Sequence, residues 1–314
     1  MSSKLIAVVG ATGTGKSELA IGIAERISKL GLRAEIVNAD AMQLYIGMDI
    51  GTAKLPIPER RGIAHHLIDV LDISQESTAA EYQKLAREKI LELQQSGIIP
   101  ILVGGSMLYV ASCLNNFDFP ERDAQLRAEL EQELEQHGPL HMHQKLAELD
   151  SLAASRIIPE NGRRIVRALE IVMITGEPFA AALPEKTDSW QPVLEFGLRM
   201  EREALLPRLE QRVVRMWEQG LVDEVASLIS VGFRESKTAS VAIGYAQALG
   251  EIDGELSREE AIASTVSLTQ RYARRQVSWF KRDERIQWLE ALDSDVLDQA
   301  MVAVSKDGIL GNRS

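Results

Sequence analysis

The stretch of residues 4–17, KLIAVVGATGTGKS, indicates what kind of sheet this chain forms. Its first half is apolar and rich in β-branched residues, which predicts a short buried strand. Glycines then predict a tight turn, and apolar residues recur at helical spacing from Lys16 to Leu30, ahead of Gly31. A buried strand, a glycine-rich turn and a helix in this order are typical of the first unit of a parallel α/β sheet.

The alternation of strands and helices continues to about residue 105. The run AEIVNAD (34–40) predicts a second strand, TAAEYQKLAREKILELQQ (78–95) an amphipathic helix, and IIPILVGG (98–105) a third, buried strand. Charged helical segments dominate from there to about residue 198, although VLEFGLRM (193–200) indicates a strand that returns to the sheet. The rest of the chain is predicted to be helical, with a long helix from about Ser257 to Phe280.

Residues 10–17, GATGTGKS, match the phosphate-binding pattern G-x-x-x-x-G-K-[ST] after a strand and at the start of a helix, which is the context this pattern requires. In such a P-loop the backbone N–H groups cradle phosphate oxygens, and the helix N-terminus adds partial positive charge. Lys16 is predicted to supply a mobile cation and Ser17 to ligate Mg²⁺. The predicted diphosphate-binding or nucleotide-binding residues of the loop are Gly10, Ala11, Thr12, Gly13, Thr14, Gly15, Lys16 and Ser17.

The fold class that these patterns predict is α/β, a P-loop NTPase-like parallel sheet covered by helices, with an all-helical insertion domain. Residues 1–116 and 199–314 are assigned to the catalytic core with its C-terminal helices, and residues 117–198 to the insertion. Kinases, ATPases, GTPases and some transferases share the loop, so it indicates a diphosphate or triphosphate ligand without identifying the reaction.

Asp40 ends the second predicted strand, at the edge where open α/β sheets place catalytic groups. A carboxylate beside a phosphate loop can act as a general base or hold Mg²⁺, and the alternative is an aspartate that only caps a turn. The third strand ends in Gly104-Gly105-Ser106, without the aspartate of a typical ATPase. Small groups at this position favour a site that admits a bulky substrate.

Bulk composition excludes several classes of protein. No run approaches 18 apolar residues and the first apolar run is too short for a signal peptide, which predicts a cytoplasmic protein without a membrane span. Cys113 is the single cysteine, so there is no internal disulfide or cysteine-rich metal site. His65-His66 lacks a third ligand and is interpreted as structural. The net charge of −11 argues weakly against nucleic-acid binding, but the distribution of charge matters more.

Basic residues are concentrated in three segments, around Arg156–Arg167, around Arg199–Arg215, and in TQRYARRQVSWFKRDER (269–285). The last segment interleaves its basic residues with Tyr272, Trp279 and Phe280. Basic and aromatic residues together are typical of the recognition of single-stranded or loop RNA. The alternative is an amphipathic helix with a solvated arginine face, and the pattern alone leaves both interpretations open.

Taken together, these motifs resemble the bacterial tRNA dimethylallyltransferase family in both order and spacing. That resemblance implies transfer of the dimethylallyl group from dimethylallyl diphosphate to N6 of the adenosine 3′-adjacent to the anticodon. It also implies Mg²⁺ as cofactor, the tRNA anticodon stem-loop as partner, and a monomer. The matching strings are GATGTGKS (10–17), NADAMQLYIGMDIGTAK (38–54), HHLIDV (65–70), LVGGSMLY (102–109), RALE (167–170) with TGEP (175–178), AIGY (242–245) and TQRYARRQVSWF (269–280).

The resemblance also implies roles for individual residues. Asp40 is implied to be the base that takes the proton from N6, with Thr12 and Arg208 as further catalytic residues. Lys16, Ser17, Arg164, Arg202 and Arg208 are implied to hold the diphosphate, with Arg163 as the alternative to Arg164 because the aspartate usual before it is missing. The implied tRNA contacts are Asp40, Ala41, Met42, Gln43, Ser106, Arg127, Arg163, Arg164 and Arg167, to which the third basic segment adds Arg271, Arg274 and Arg275.

Three other functions share some of these features. An adenylate isopentenyltransferase that acts on AMP has the same loop, but it needs neither the insertion nor the third basic segment. A small-molecule kinase would bind ATP in the loop. A non-enzymatic nucleotide-binding adaptor would leave Asp40 without a role.

Overall fold

The computed structural model describes residues 5–117, 119, 122–179 and 188–310. The chain divides into two compact units, one of Met1–Asn115 with Ser189–Ser314 and one of Asn116–Asp188. The second unit therefore ends at Asp188 and not at residue 198, where the sequence placed the end of the insertion. Residues 189–198 belong to the first unit because the strand Val193–Arg199 pairs with the strand that precedes the P-loop.

A six-stranded sheet forms the centre of the first unit, in the order β3-β2-β4-β1-β5-β6. Every pair of neighbouring strands is parallel, which confirms the predicted parallel sheet. All residues of β1 are buried, because this strand lies in the middle of the sheet and its apolar run faces helices on both sides. The strands are β1 Leu5–Gly10, β2 Arg33–Asn38, β3 His65–His66, β4 Ile98–Gly104, β5 Val193–Arg199 and β6 Gln287–Glu290.

Helices cover both faces of this sheet. The described helices of the first unit are α1 Lys16–Lys29, α2 Ala79–Gln95, α3 Met107–Leu114, α7 Arg202–Glu218, α8 Leu221–Ile229, α9 Tyr245–Ile252, α10 Arg258–Phe280 and α11 Val296–Asp307, with 3₁₀ helices at Met42–Leu44 and Ile57–Arg60. The helices α4 Ala124–Leu149, α5 Ser151–Arg156 and α6 Gly162–Thr175 belong to the second unit. One apolar cluster joins α1 and α11 to one face, and a second joins α2, α3 and Phe280 to the other. Around Trp217 and Tyr245, α7, α8 and α9 form a further cluster with the start of α10.

The strand β6 lies in a segment that the sequence predicted to be helical. Its four residues, QWLE, are too few to show a strand period, and they become a strand because they pair with Phe196–Arg199 of β5. The strand β3 is also short and pairs with β2 only at two positions. Short strands at sheet edges depend on a neighbour far away in the sequence, so local propensity does not reveal them.

The described elements of the second unit are all helices. Gly138, at φ 79°, and Pro139 interrupt α4, so the element consists of two helical runs joined by a kink. The apolar core of the second unit includes Leu130 and Met142 from α4 and Leu169 from α6. Because these contacts lie within the unit, it has an apolar core of its own. No helix in the described ranges of either unit is long and apolar enough to cross a membrane.

A buried carboxyl group lies on β5, away from the P-loop. Glu195 is 2 % exposed, and its Oε1 accepts no hydrogen bond within the described chain. Arg285 lies 3.4 Å from Oε1, but its guanidinium also pairs with Asp283. Burial raises the pKa of Glu195 to about 7, against the attraction of Arg285.

We expect Glu195 to make the protein less stable as pH rises. The folded state keeps the proton of Glu195 up to about pH 7, whereas the unfolded chain releases it near pH 4.5, so the free energy of unfolding falls between these values. Glu195→Gln should therefore raise the free energy of unfolding at pH 8 by roughly 2–3 kcal/mol and change it little at pH 4. Urea unfolding at both pH values measures this, with Glu290→Gln at the exposed edge as the control. An equal increase in the free energy of unfolding at pH 4 and pH 8 would contradict the prediction.

Candidate functional site

The P-loop connects β1 to α1 at the carboxyl edge of the sheet. Gly13 and Gly15 adopt positive φ values of 81° and 93°, which residues with a Cβ rarely tolerate, and Gly15 caps α1. A Cβ on Gly13 would also approach the Leu209 side chain to 2.8 Å, because α7 packs against the loop. The loop is thereby fixed at the start of α1, where free backbone N–H groups and the helix dipole favour an anion.

Lys16 is a partly buried cation without an acidic hydrogen-bond partner. Its Nζ donates to the backbone carbonyl of Ala11 at 2.8 Å, and Thr14 Oγ1 donates to the same oxygen at 2.8 Å. Burial lowers the pKa of Lys16 to about 8, with repulsion by Arg212 adding to the effect and attraction by Asp40 opposing it. Across the described ranges Lys16 makes no ion pair, so its charge is available for an anionic ligand.

Asp40 lies two residues beyond β2, and the backbone around it is firmly held. Its N–H donates to Asn38 Oδ1 at 3.0 Å, and its own Oδ1 accepts the N–H of Met42 at 3.0 Å. The Asn38 amide also donates to the carbonyl oxygens of Asp40 and Leu67. In the described chain Asp40 Oδ2 accepts no hydrogen bond. The predicted base thus shares the site with Lys16 and keeps one oxygen free for a proton.

Arg212 on α7 belongs to the second basic segment, but no role in the site was predicted for it from the sequence. Its charge interacts with both Lys16 and Asp40, and burial is the main cause that lowers its own pKa. Its Nη2 lies 3.5 Å from the carbonyl oxygen of Thr52, at the limit of a hydrogen bond. Arg202 and Arg208, which the sequence predicted, are exposed on α7. Arg212 therefore joins the predicted Arg208, one helical turn away and with the same charge, as a candidate for the diphosphate.

The residues predicted to contact tRNA on the core surround Asp40. Ala41 donates its N–H to Ser106 Oγ at 2.9 Å, which ties the turn after β2 to the turn after β4. Gln43 donates its side-chain amide to the carbonyl of Thr52 at 3.2 Å. Residues 40–43 and Ser106 are all partly exposed. The structure therefore brings them together on one surface beside the P-loop.

The helix α10 carries the third basic segment past the same edge. Arg271, Arg274 and Arg275 are exposed, and the Arg275 guanidinium lies 5.7 Å from the ring centre of Tyr272. Burial raises the pKa of the Tyr272 hydroxyl to about 12, with a smaller contribution from the charge of Asp40. Arginine above an aromatic ring is an arrangement that RNA-binding surfaces use. The buried Gln276 on the opposite side of α10 contacts the P-loop and was not predicted from the sequence.

In the second unit, Arg127 and Arg167 share one buried carboxylate. Glu170 is fully buried, and its Oε2 lies 3.3 Å from Arg127 Nη1 and 2.8 Å from Arg167 Nη1. Arg163 and Arg164 are exposed in the first turn of α6, where Asn161 caps the N–H of Arg164. The sequence did not predict Glu170, which holds two of the predicted tRNA contacts in place. The roles of these four arginines stay predictions.

The residues of the loop fit a magnesium ion that is shared with a diphosphate. Ser17 exposes its hydroxyl in the first turn of α1, next to Lys16. Among the described residues, no group of three or more His, Cys, Asp or Glu side chains could form a protein-only metal site. Mg²⁺ usually keeps several waters and takes one or two protein ligands together with substrate phosphates. Ser17 would be such a ligand.

The fold and the site define an α/β protein whose glycine-rich loop presents a partly buried lysine and a helix N-terminus, with a carboxylate beside them. The family model described as "IPP transferase" matches residues 43–283, and the chain belongs to this family. It is 51 % identical to the tRNA dimethylallyltransferase of Thermobifida fusca over 312 residues, covering 99 % of this chain and 98 % of that protein. Identity to the tRNA dimethylallyltransferase of Clavibacter sepedonicus is 55 % over 300 residues, covering 96 % and 97 %.

Two solved structures have the same fold along nearly the whole chain. The full-length tRNA isopentenylpyrophosphate transferase of Bacillus halodurans superposes with a TM-score of 0.72 at 36 % identity, covering 98 % of this chain and 97 % of that one. A eukaryotic dimethylallyltransferase, studied in crystallographic snapshots acting on tRNA, gives a TM-score of 0.78 at 27 % identity, covering 99 % and 81 %. These comparisons confirm the fold class and the family that the sequence motifs indicated.

The lowered pKa of Lys16 predicts that anion binding weakens at alkaline pH. The free protein loses the Lys16 proton near pH 8, whereas a bound diphosphate stabilises the protonated form, so binding above pH 8 must also take up a proton. We expect the Kd for dimethylallyl diphosphate to rise between pH 8 and pH 9.5 by about tenfold per pH unit at most. Calorimetric titration without tRNA measures it.

The control for this prediction is Lys16→Arg, because a guanidinium stays charged throughout this range. The variant should bind more weakly at pH 7.5 because its fork does not match the ammonium geometry, but its Kd should stay flat up to pH 9.5. A wild-type Kd that is equally flat would show that Lys16 does not titrate in the site.

Proposed function

We propose that this chain transfers the dimethylallyl group from dimethylallyl diphosphate to N6 of the adenosine 3′-adjacent to the anticodon of tRNA, releasing diphosphate. The observation that carries the proposal is the juxtaposition of Lys16, a partly buried cation in a P-loop, with the carboxylate of Asp40. A leaving diphosphate and an acceptor amine need these two groups at the same place. The names of the relatives, tRNA dimethylallyltransferases, support the same substrates.

In the proposed reaction, N6 attacks C1 of the donor while the bond from C1 to the diphosphate oxygen breaks. The P-loop N–H groups, Lys16 and Arg212 stabilise the negative charge that collects on the leaving group. Asp40 takes the proton that N6 loses, through the oxygen that accepts no hydrogen bond in the described chain. Thr12 is proposed to contact the donor from within the loop, and Arg202 and Arg208 to neutralise the outer diphosphate oxygens.

Magnesium is proposed as the cofactor, with Ser17 as its ligand from the protein. When bound, Mg²⁺ adds positive charge beside the diphosphate oxygens. Ser17 follows Lys16 directly, so both residues lie in the first turn of α1, at the helix end where the diphosphate is proposed to bind. The carboxylate of Asp40 then remains available for the proton of N6.

The tRNA anticodon stem-loop is the proposed acceptor. The exposed residues Arg271, Arg274 and Arg275 on α10 would contact its phosphates, and the partly exposed turn at residues 40–43 would contact the loop bases. A free mononucleotide such as AMP needs neither this arginine surface nor a second unit, which favours tRNA. The proposal places the protein in the cytoplasm, where tRNA is modified, and assigns it as a monomer.

The decisive experiment supplies labelled dimethylallyl diphosphate, Mg²⁺ and either unmodified tRNA or AMP. We expect label on tRNA, at the adenosine next to the anticodon, and none on AMP. Label on AMP alone would identify an adenylate isopentenyltransferase. A parallel incubation with labelled ATP tests the kinase alternative, which phosphate transfer in place of prenyl transfer would identify.

The substitution Asp40→Asn tests in the same assay whether Asp40 acts in catalysis and not in binding of the donor. Asparagine keeps the acceptor for the Met42 N–H, so the turn at residues 40–43 should fold as before. Without the base, kcat should fall by about 10²–10⁴-fold while the Kd for dimethylallyl diphosphate changes little. A loss of kcat below tenfold would exclude Asp40 as the base.

Replacing Arg271, Arg274 and Arg275 by Gln should weaken tRNA binding without affecting the Kd for dimethylallyl diphosphate. Each lost phosphate contact should reduce the slope of log Kd against log salt concentration by roughly 0.7–0.9. The matched control replaces Arg26, Arg33 and Arg234, which lie in exposed ion pairs elsewhere on the first unit, and changes the net charge equally. If both triple variants weaken tRNA binding alike, α10 is not part of the RNA surface. Thermal unfolding of each variant excludes loss of fold as the cause.

A further inference from the structure

Gln276 lies between two turns that border the P-loop site. It is 2 % exposed, on the buried side of α10. Its Oε1 accepts the N–H of Thr12 at 2.9 Å, and its Nε2 donates to the carbonyl oxygen of Gly105 at 2.7 Å. The side-chain amide therefore uses both of its ends on backbone groups that follow β1 and β4, two neighbouring strands.

The side-chain amide of Gln276 fits beside Gly105 only because Gly105 has no Cβ. A Cβ at Gly105 would lie 2.4 Å from Gln276 Nε2 and 3.0 Å from the carbonyl oxygen of Gly10. Any larger residue at position 105 would push the glutamine away from the loop. The hydrogen bond between Gln276 and the Gly105 carbonyl therefore depends both on the missing side chain at Gly105 and on the length of the glutamine.

The hydrogen bond to Thr12 controls the orientation of one peptide group of the loop. The N–H of Thr12 and the carbonyl of Ala11 belong to the same planar trans peptide, so they point in opposite directions. Gln276 holds the N–H toward α10, which turns the carbonyl toward the inside of the loop. That carbonyl is the acceptor for both Lys16 Nζ and Thr14 Oγ1.

We infer that Gln276 is a positioning residue for the donor site: by fixing the Ala11–Thr12 peptide it holds the Lys16 ammonium where the diphosphate binds. The inference rests on the proposed function, in that the loop is taken to bind dimethylallyl diphosphate. If the peptide rotates, Lys16 loses its only side-chain hydrogen bond in the described structure. The partly buried ammonium of Lys16 then has to be held by the ligand alone. Binding of the ligand includes the free-energy cost of ordering the Lys16 side chain, which weakens the affinity.

The experiment measures the Kd for dimethylallyl diphosphate with Mg²⁺, without tRNA, for the full-length chain. Gln276→Met keeps the length of the side chain and removes both hydrogen bonds, so the Kd should rise by about tenfold or more. The matched control is Gln83→Met, which removes the hydrogen bond from Gln83 Nε2 to the carbonyl of Ser112 at 2.9 Å, between α2 and α3. We expect the control to lose a similar amount of stability and to keep the wild-type Kd.

A second variant gives a readout that a purely structural role would not change. Burial at this position should raise the pKa of the carboxyl in Gln276→Glu well above its ordinary value of about 4.3. At pH 5.5 the protonated carboxyl can then accept from Thr12 and donate to Gly105, as the amide does, whereas at pH 8 the ionised carboxylate cannot donate. The Kd of Gln276→Glu, divided by the Kd of wild type at the same pH, should therefore be close to one at pH 5.5 and about ten or more at pH 8. This pH-dependent rescue also tests the inference if Gln276→Met does not fold.

Three results would overturn the inference. A Gln276→Met variant that folds and binds the donor as tightly as wild type would exclude a positioning role. A Kd ratio for Gln276→Glu that is constant with pH would exclude control through the two hydrogen bonds. A wild-type protein that does not bind dimethylallyl diphosphate would instead refute the donor site itself, and with it the proposed function.

Discussion

Parallel pairing of β1 with β4, and of β4 with β2, fixes where every group of the site can lie. Val9 pairs with Gly104 and Asn38 with Val103, so the three strands end at the same level of the sheet. The chain reverses its winding direction between β1 and β4, and a crevice opens outside the carboxyl ends of strands at such a point. A slip of one residue in β1 would turn its side chains to the opposite faces and displace the loop that follows.

Most of this framework could be predicted from the sequence because its determinants are local. The apolar runs of β1 and β4 are continuous, the P-loop is a contiguous motif, and α10 begins with a capping box at Ser257. Asp40 could be placed beside the loop because a residue just beyond a parallel strand must lie at that edge. The family then supplied the reaction that the loop by itself leaves open.

The remaining parts of the site depend on contacts between distant positions. Thr12 and Gln276 are separated by 264 residues, and nothing in the segment around either of them indicates the other. Arg212 and Arg208 have the same type and differ only in which side of α7 they face, which packing decides. Glu170 is a carboxylate on an otherwise apolar side of α6, and only its two arginine partners explain why it can be fully buried.

Local pairing of charges, and not the net charge of −11, decides whether an acidic chain can accommodate the proposed diphosphate. Lys54 shows the structural use of a buried lysine: its side chain is 4 % exposed and pairs with both Asp49 and Asp69. Its charge is balanced within the protein, so it attracts no further anion. Lys16 has only a carbonyl as its hydrogen-bond partner in the described chain, and burial lowers its pKa to about 8. A partly buried cation without an ion-pair partner is unfavourable, so binding of the proposed diphosphate would remove this unfavourable term.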